Sequence, residues 1–279
     1  MLLRTLATAL LLGAVSLAPA VPAARAESST SSMSALIHAS GLDAVFAQFG
    51  PSLMSSAREE RLATDPIFLQ HWDAATREAF APPLLQRELE RELGTQIEAD
   101  ALGELLSFYQ SPFGQRITRL ERAVSALPPG EEGRAIAMGQ VKLGTASPER
   151  RAQLDEMLEV TSAETFVALV GQSIRAMLLG LSLFNQGGDI EIPWSDIDAQ
   201  VDAMLPALTN DLLDVQKAIL AYTYADLDAA ELERYLAFLR TPAARDFHRS
   251  ANTTLATITA AAMERFGAAL ARRLARVEV

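Results

Sequence analysis

LGELLSFYQSPFGQR, residues 102–116, sets the architecture of this chain, and LERYLAFLRTPAARD, residues 232–246, follows the same plan 130 positions later. In the first stretch Leu102, Leu105, Leu106 and Tyr109 fall at i, i+3, i+4 and i+7, which places four apolar side chains on one helical face. Leu232, Tyr235, Leu236 and Leu239 hold the same four places in the second. Each stripe then meets a hydroxyl residue and a proline: Ser111 with Pro112, Thr241 with Pro242. A proline drives the residue before it out of the α region, so the first helix must end there. The same ring suits the first position of a new helix, where the missing N–H had no partner to lose, and the preceding hydroxyl oxygen can accept from a free N–H of the new turn. Phe108 and Phe238 stand three residues ahead of the two steps. Beyond them the apolar spacing resumes at Ile117, Leu120, Val124 and Leu127, and at Phe247, Ala251, Leu255 and Ile258.

On either side of these stretches the pattern also reads as helix, so the predicted fold is all-α: a helical bundle built from two tandem, diverged helical units. Ala35–Ala57 carries helical spacing interrupted at Gly41 and Pro51, and Pro66 restarts a helix that runs to Phe80. Pro82 and Pro83 then mark a break before a charged helix over 84–93, and Thr95 with Glu98 has capping-box spacing for the helix that ends at Gln110. Pro128, Pro129 and Gly130 separate the next helix, 131–143, and Ser147 with Pro148 opens another. The unit boundary is therefore set at Ala146, with a first helical unit over 27–146 and a second, degenerate one over 147–279. In the second unit helices are expected over 148–160, 163–184, 196–224, 228–240 and 242–276, with a Gly-rich loop at 185–194.

Residues 1–26 read as a signal peptide: Arg4, an apolar run from Leu6 to Ala18, and the small-x-small site Ala24, Arg25, Ala26. The apolar run falls short of the about 20 residues needed to span a bilayer. Export to a periplasm or to the outside is the expected destination, with cleavage near Ala26 and a polar, mobile start at Ser28–Ser32. Cysteine is absent, which removes disulfides, thiol nucleophiles and thiolate metal sites. Without Arg4 and Arg25 the chain has 22 basic against 35 acidic residues, a balance that repels nucleic acid and anionic membrane surfaces.

The segment Phe108, Tyr109, Ser111, Pro112, Gly114, Gln115 resembles domain of unknown function 2059, a family of secreted bacterial helical domains marked by an aromatic pair, a Ser-Pro or Thr-Pro step, then Gly and a polar residue. The resemblance covers 84–127 best, and the copy at 238–245 departs from it at Leu239 and Ala244. It implies an all-helical periplasmic module and brings no catalytic residues.

Chemistry has little foothold. His38, His71 and His248 lack the His-Glu-x-x-His spacing that sets two imidazoles on one zinc, and Gly171, Gln172, Ser173 lacks the second glycine of a nucleophile elbow. Glu88, Glu90 and Glu92 alternate with Arg87 and Arg91 opposite Leu84, Leu85, Leu89 and Leu93, the mark of a solvated face. Asp189 and Glu191 beside Asp196 and Asp198 can form an acidic loop but lack an EF-hand's spacing. The apolar run 166–184 holds Gln172 and Arg175 and fits a buried bundle helix rather than a membrane span. Asn252, Thr253, Thr254 spells a glycosylation acceptor within an expected helix.

No catalytic, metal or cofactor residue is assigned. The residues that the second copy lacks (Tyr109, Gly114, Gln115), with Arg116 at their rim, are the candidate ligand- or partner-binding group. Phe108, Ser111, Pro112, Phe238, Thr241 and Pro242 are expected to be structural. The functional expectation is a non-enzymatic binding or interaction module for a protein, peptide or apolar ligand. Its alternatives are an envelope hydrolase using paired carboxylates or a loop metal, and a purely structural envelope protein.

Overall fold

A computed structural model of the chain describes residues 25–44, 50, 51, 53, 54, 58, 66–128, 131–161 and 194–275. The expected helix over 163–184 and the loop with Asp189 and Glu191 lie outside the described residues, as does most of the expected signal segment. Among the described residues every regular element is a helix and none is a strand, as the spacing of apolar residues predicts. No described helix is long and apolar enough to cross a membrane.

The chain runs through α1 (Arg25–Ser40), a 3-10 turn (Leu42–Ala44), α2 (Pro66–Ala79), α3 (Pro82–Gly94), α4 (Ala99–Tyr109), α5 (Pro112–Ser125) and α6 (Glu132–Thr145). It continues with α7 (Pro148–Val160), α8 (Trp194–Thr223), α9 (Ala229–Leu239) and α10 (Pro242–Leu274). Ser111, Ser147 and Thr241 each cap a helix whose first residue is proline, accepting from the N–H of Gly114, Arg150 and Ala244. Gly41 ends α1 with φ +84°, a left-handed conformation that a side chain disfavours.

Three local expectations are corrected. The break between α2 and α3 falls at Phe80 and Ala81, and Pro82 and Pro83 lie just past it as the first turn of α3, where their missing N–H groups break no bond. Thr95 does not cap α4: it follows α3 in the αR region, and its hydroxyl donates to the Glu92 carbonyl at 2.8 Å. A capping box exists instead at the start of α9, where Asp228 accepts from the Glu231 N–H at 2.8 Å and Glu231 accepts from the Asp228 N–H at 3.1 Å. Ser28–Ser32, expected as a mobile start, are helical within α1. Met33, Leu36 and Ile37 anchor that helix in the core, and extending a helix once nucleated adds a backbone bond for each residue ordered.

One hydrophobic core gathers helices from both sides of Ala146, from Met33 and Leu36 on α1 to Phe266 and Leu270 on α10. The 33-residue α10 lies along α2, α3 and α4; α1 packs on α3, α4 and α5; α8 packs on α5, α6 and α7. Trp72 on α2 is the largest fully buried side chain among the described residues. Its indole N–H donates to the Leu53 carbonyl at 3.1 Å, and its ring meets Phe266 edge to face at 4.7 Å. At the rim Glu88 holds Arg265 through both carboxylate oxygens, at 3.0 and 3.2 Å, so the charged face of α3 is partly a seam with α10.

Candidate functional site

The two Ser-Pro and Thr-Pro steps share their backbone bonding and meet face to face. Gln110 N–H donates to the Leu106 carbonyl and Arg240 N–H to the Leu236 carbonyl, both at 2.9 Å, and the capping residues have φ/ψ of −66/156° and −64/147°. Phe108 stacks on Phe238 with centroids 3.5 Å apart and planes 3° from parallel. Tyr109 meets Phe238 and Phe247 edge to face, Tyr235 extends the stack at 5.9 Å, and the Arg234 guanidinium covers Phe113 at 4.2 Å. Flat rings buried in this way contribute about 0.5–1.5 kcal/mol per pair beyond their area.

The candidate binding residues are dispersed by this packing. Tyr109 is only 2% exposed, and burial pushes its phenol well above the usual range. Gly114 is buried where α5 touches the end of α4: a Cβ there would land on the Phe108 carbonyl and lie 2.9 Å from the Tyr109 Cα. Gln115 is exposed and its amide donates to the Gln110 carbonyl at 3.1 Å. Arg116 reaches α9, where it pairs with Glu231 and donates to the Asp226 carbonyl at 3.2 Å. Asn252 of the glycosylation triplet donates to the Thr161 carbonyl at 3.0 Å.

Arg116 points to a group of polar contacts that sequence reasoning missed. The turn between α8 and α9 exposes its carbonyls, and side chains from α5 and α7 take them up. Arg150 donates to the carbonyls of Leu227, at 3.1 Å, and Tyr224, while Gln153 donates to that of Ala229 at 3.1 Å. From the same turn and from α9, the hydroxyls of Tyr224 and Tyr235 converge on one oxygen, Glu121 Oε1, at 2.6 and 2.9 Å. Burial raises the Glu121 carboxyl above its ordinary pKa, against the two phenol bonds and the neighbouring Arg122 charge, which lower it. Both phenols are pushed well up, first by burial and then by the Glu121 charge. Arg122 faces away to bond the His38 carbonyl and, at 3.2 Å, Asp43, whose other oxygen lies 2.8 Å from His38 Nδ1. The sequence holds these residues more than 100 positions apart, with no motif to join Glu121 to Tyr224 or Tyr235.

A cleft of about 420 Å³ lies between the end of α7 and the first two turns of α10. Glu159, Val160, Arg240, Pro242, Arg245, Asp246 and Arg249 line it, none of them one of the candidate binding residues at the first step. Arg240 is held by Glu156 through two bonds of 2.6 and 2.7 Å and also pairs with Glu233. Those bonds hold the Glu156 and Glu233 carboxyls below the usual carboxylate range. Arg249 pairs with Asp246 across one helical turn. Among the described residues no three His, Asp or Glu side chains are grouped to hold a metal ion. His38, His71 and His248 remain apart, on α1, α2 and α10.

No family model, curated protein or solved structure matches this chain. The architecture defined by the geometry is an all-α bundle with an aromatic joint and a mixed-charge cleft.

Proposed function

We propose that this chain is a non-enzymatic binding or protein-interaction module, exported to a periplasm or secreted by the segment 1–26, and that it engages a peptide or an extended segment of a protein. The cleft at Arg240 and Arg245 is the observation that supports this reading. Its apolar positions, Val160 and Pro242, lie among charges of both signs, a lining suited to a chain that offers backbone groups and mixed side chains. The residues of the aromatic joint are occupied with one another, which moves the expected contact surface from the first step to the flank of the second.

Native mass spectrometry and in-cell cross-linking of protein isolated from its own envelope test the reading. Retained peptide or partner protein is expected, and a cleft variant carrying Arg245→Glu with Arg249→Glu should retain at least tenfold less. Equal retention by this variant would remove the cleft from the reading, and a bare mass with no cross-linked species would remove the binding function. That last outcome favours the alternative of a purely structural envelope protein, which the mutual burial of the two steps supports.

A further inference from the structure

The cleft at the start of α10 is charged on both walls, and most of those charges are engaged with one another. Arg240 is held by both oxygens of Glu156 and by Glu233. Asp246 and Arg249 pair along α10. Two charged side chains of the lining remain: Glu159 on the α7 wall and Arg245 on the α10 wall. Both are exposed, and neither has a hydrogen bond or ion pair among the described residues, so they do not close the cleft on each other. Arg245 reaches Glu156 only as a field, because the Glu156 oxygens are taken by Arg240. The apolar part of the lining is Val160, which is buried, and Pro242. The volume of about 420 Å³ lies in the range of about 300–1,000 Å³ that holds a small ligand or a few residues of a chain.

A ligand of one sign gains at one wall and is repelled at the other. A polyanion that meets Arg245 also meets Glu159 and Asp246, with Glu156 and Glu233 around Arg240, on a chain of net charge −11. A polycation meets three arginines. A ligand that carries both signs complements both walls. We propose that the cleft recognises a short peptide segment with one acidic and one basic side chain, the acidic one received by Arg245 and the basic one by Glu159. This rests on the reading of the cleft as a peptide site and adds the charge pattern that selects the peptide.

Calorimetric titration of the full chain with capped synthetic peptides tests the pattern. Each peptide carries one Lys and one Glu separated by one to four alanines, in both orders, and has a counterpart with Gln at both positions. The parent is expected to bind the best-spaced charged peptide about tenfold more tightly than its Gln counterpart. Glu159→Arg and Arg245→Glu should each lose about that factor, since reversal turns an attraction into a repulsion. The double variant should regain it with the peptide of opposite order. Equal binding of charged and Gln peptides by the parent at every spacing, or a double variant no better than either single one, would overturn the proposal. Glu159→Gln and Arg245→Gln keep the test open if a reversal disturbs folding: each should weaken the charged peptide and spare the Gln peptide, and unchanged affinity for both would count against the pattern. Native mass spectra separate the two failures. Single variants that retain as much envelope peptide as the parent leave the peptide module standing and remove the charge pattern, whereas a parent with no retained peptide removes both.

Discussion

The first and second steps carry the same backbone bonds yet differ in how closely the new helix returns to the old one. At the first, α5 presses Gly114 against the backbone of Phe108 and Tyr109, leaving no space for a methyl group. At the second, Ala244 sits at the equivalent place, fully buried, and α10 accommodates its Cβ. The Ser111 hydroxyl both donates to the Phe108 carbonyl, at 2.6 Å, and accepts from the Gly114 N–H. Thr241 has the accepting bond from Ala244, at 3.2 Å. One step is thus a tight, doubly tied corner and the other a looser one that launches the longest of the described helices. A shared motif specifies the bend, while its neighbours specify how sharply that bend closes.

Removing the ring that the two steps share is expected to have the largest effect. Phe238→Ala should lower unfolding free energy by about 3–5 kcal/mol, with Phe108→Ala milder because Phe108 is only half-buried. Urea titrations giving the opposite order would place the inner wall of the joint at the first step.

The two steps also differ at the seventh residue beyond the hydroxyl. Thr118 donates to the Ala39 carbonyl at 2.9 Å, whereas His248 stands at the equivalent place with Nε2 buried and unpartnered. Burial pulls the His248 pKa from 6.5 down to about 4. Protonation is therefore disfavoured in the folded state: stability is intact above pH 6.5 and falls as pH drops toward 4, by at most about 3 kcal/mol. Glu78, held low by its bond to Arg273, and Glu156, held low by Arg240, also lose their contribution in acid, below 4.5. The difference between the parent chain and His248→Leu across this range isolates the histidine, and parallel profiles would show that it does not titrate on unfolding.

Gly114→Ala probes the closeness of the first corner. The added methyl meets backbone, and a cost of about 1–3 kcal/mol is expected, while Ala244→Gly costs about 1 kcal/mol from backbone entropy alone. Calorimetric melts that ranked them in reverse would mean that α5 can move off α4 freely. Smaller still are the caps. Ser111→Ala should cost more than Thr241→Ala within a range of about 0.5–2 kcal/mol, because Ser111 loses two bonds. Pro112→Ala should change stability by less than about 1 kcal/mol, since its place at the helix start breaks no hydrogen bond. A larger proline effect in the same melts would give the bend to proline rather than to packing.

Much of the fold was legible because its signals are local. Pro66, Pro112, Pro148 and Pro242 each open a helix where sequence spacing put one, and Ser111, Ser147 and Thr241 cap as their positions demanded. The stripes are buried at Leu102, Leu105, Tyr109, Leu232, Tyr235, Leu236 and Leu239, with Leu106 only half-buried because it lies at the edge of its face. Thr95 misled because a hydroxyl beside a helix end can serve either helix, and backbone dihedrals settle which. The candidate site was less legible. Tyr109, Gly114 and Gln115 set the first step apart, with Arg116 at their rim, and the structure gives each of the four a packing, hydrogen-bonding or pairing partner. Glu121, Arg150, Gln153 and the cleft carried no local signal at all.

Periodicity, proline geometry and capping act within one or two turns, so an all-helical chain with two bent helix pairs was already written in the residues. Tertiary packing was needed to lay Phe108 on Phe238, to draw two distant tyrosines to one oxygen of Glu121, and to open the cleft beside Arg240. Those contacts join residues separated by more than 80 positions, and they exist only once burial of the shared stripes has fixed how the helices lie against each other.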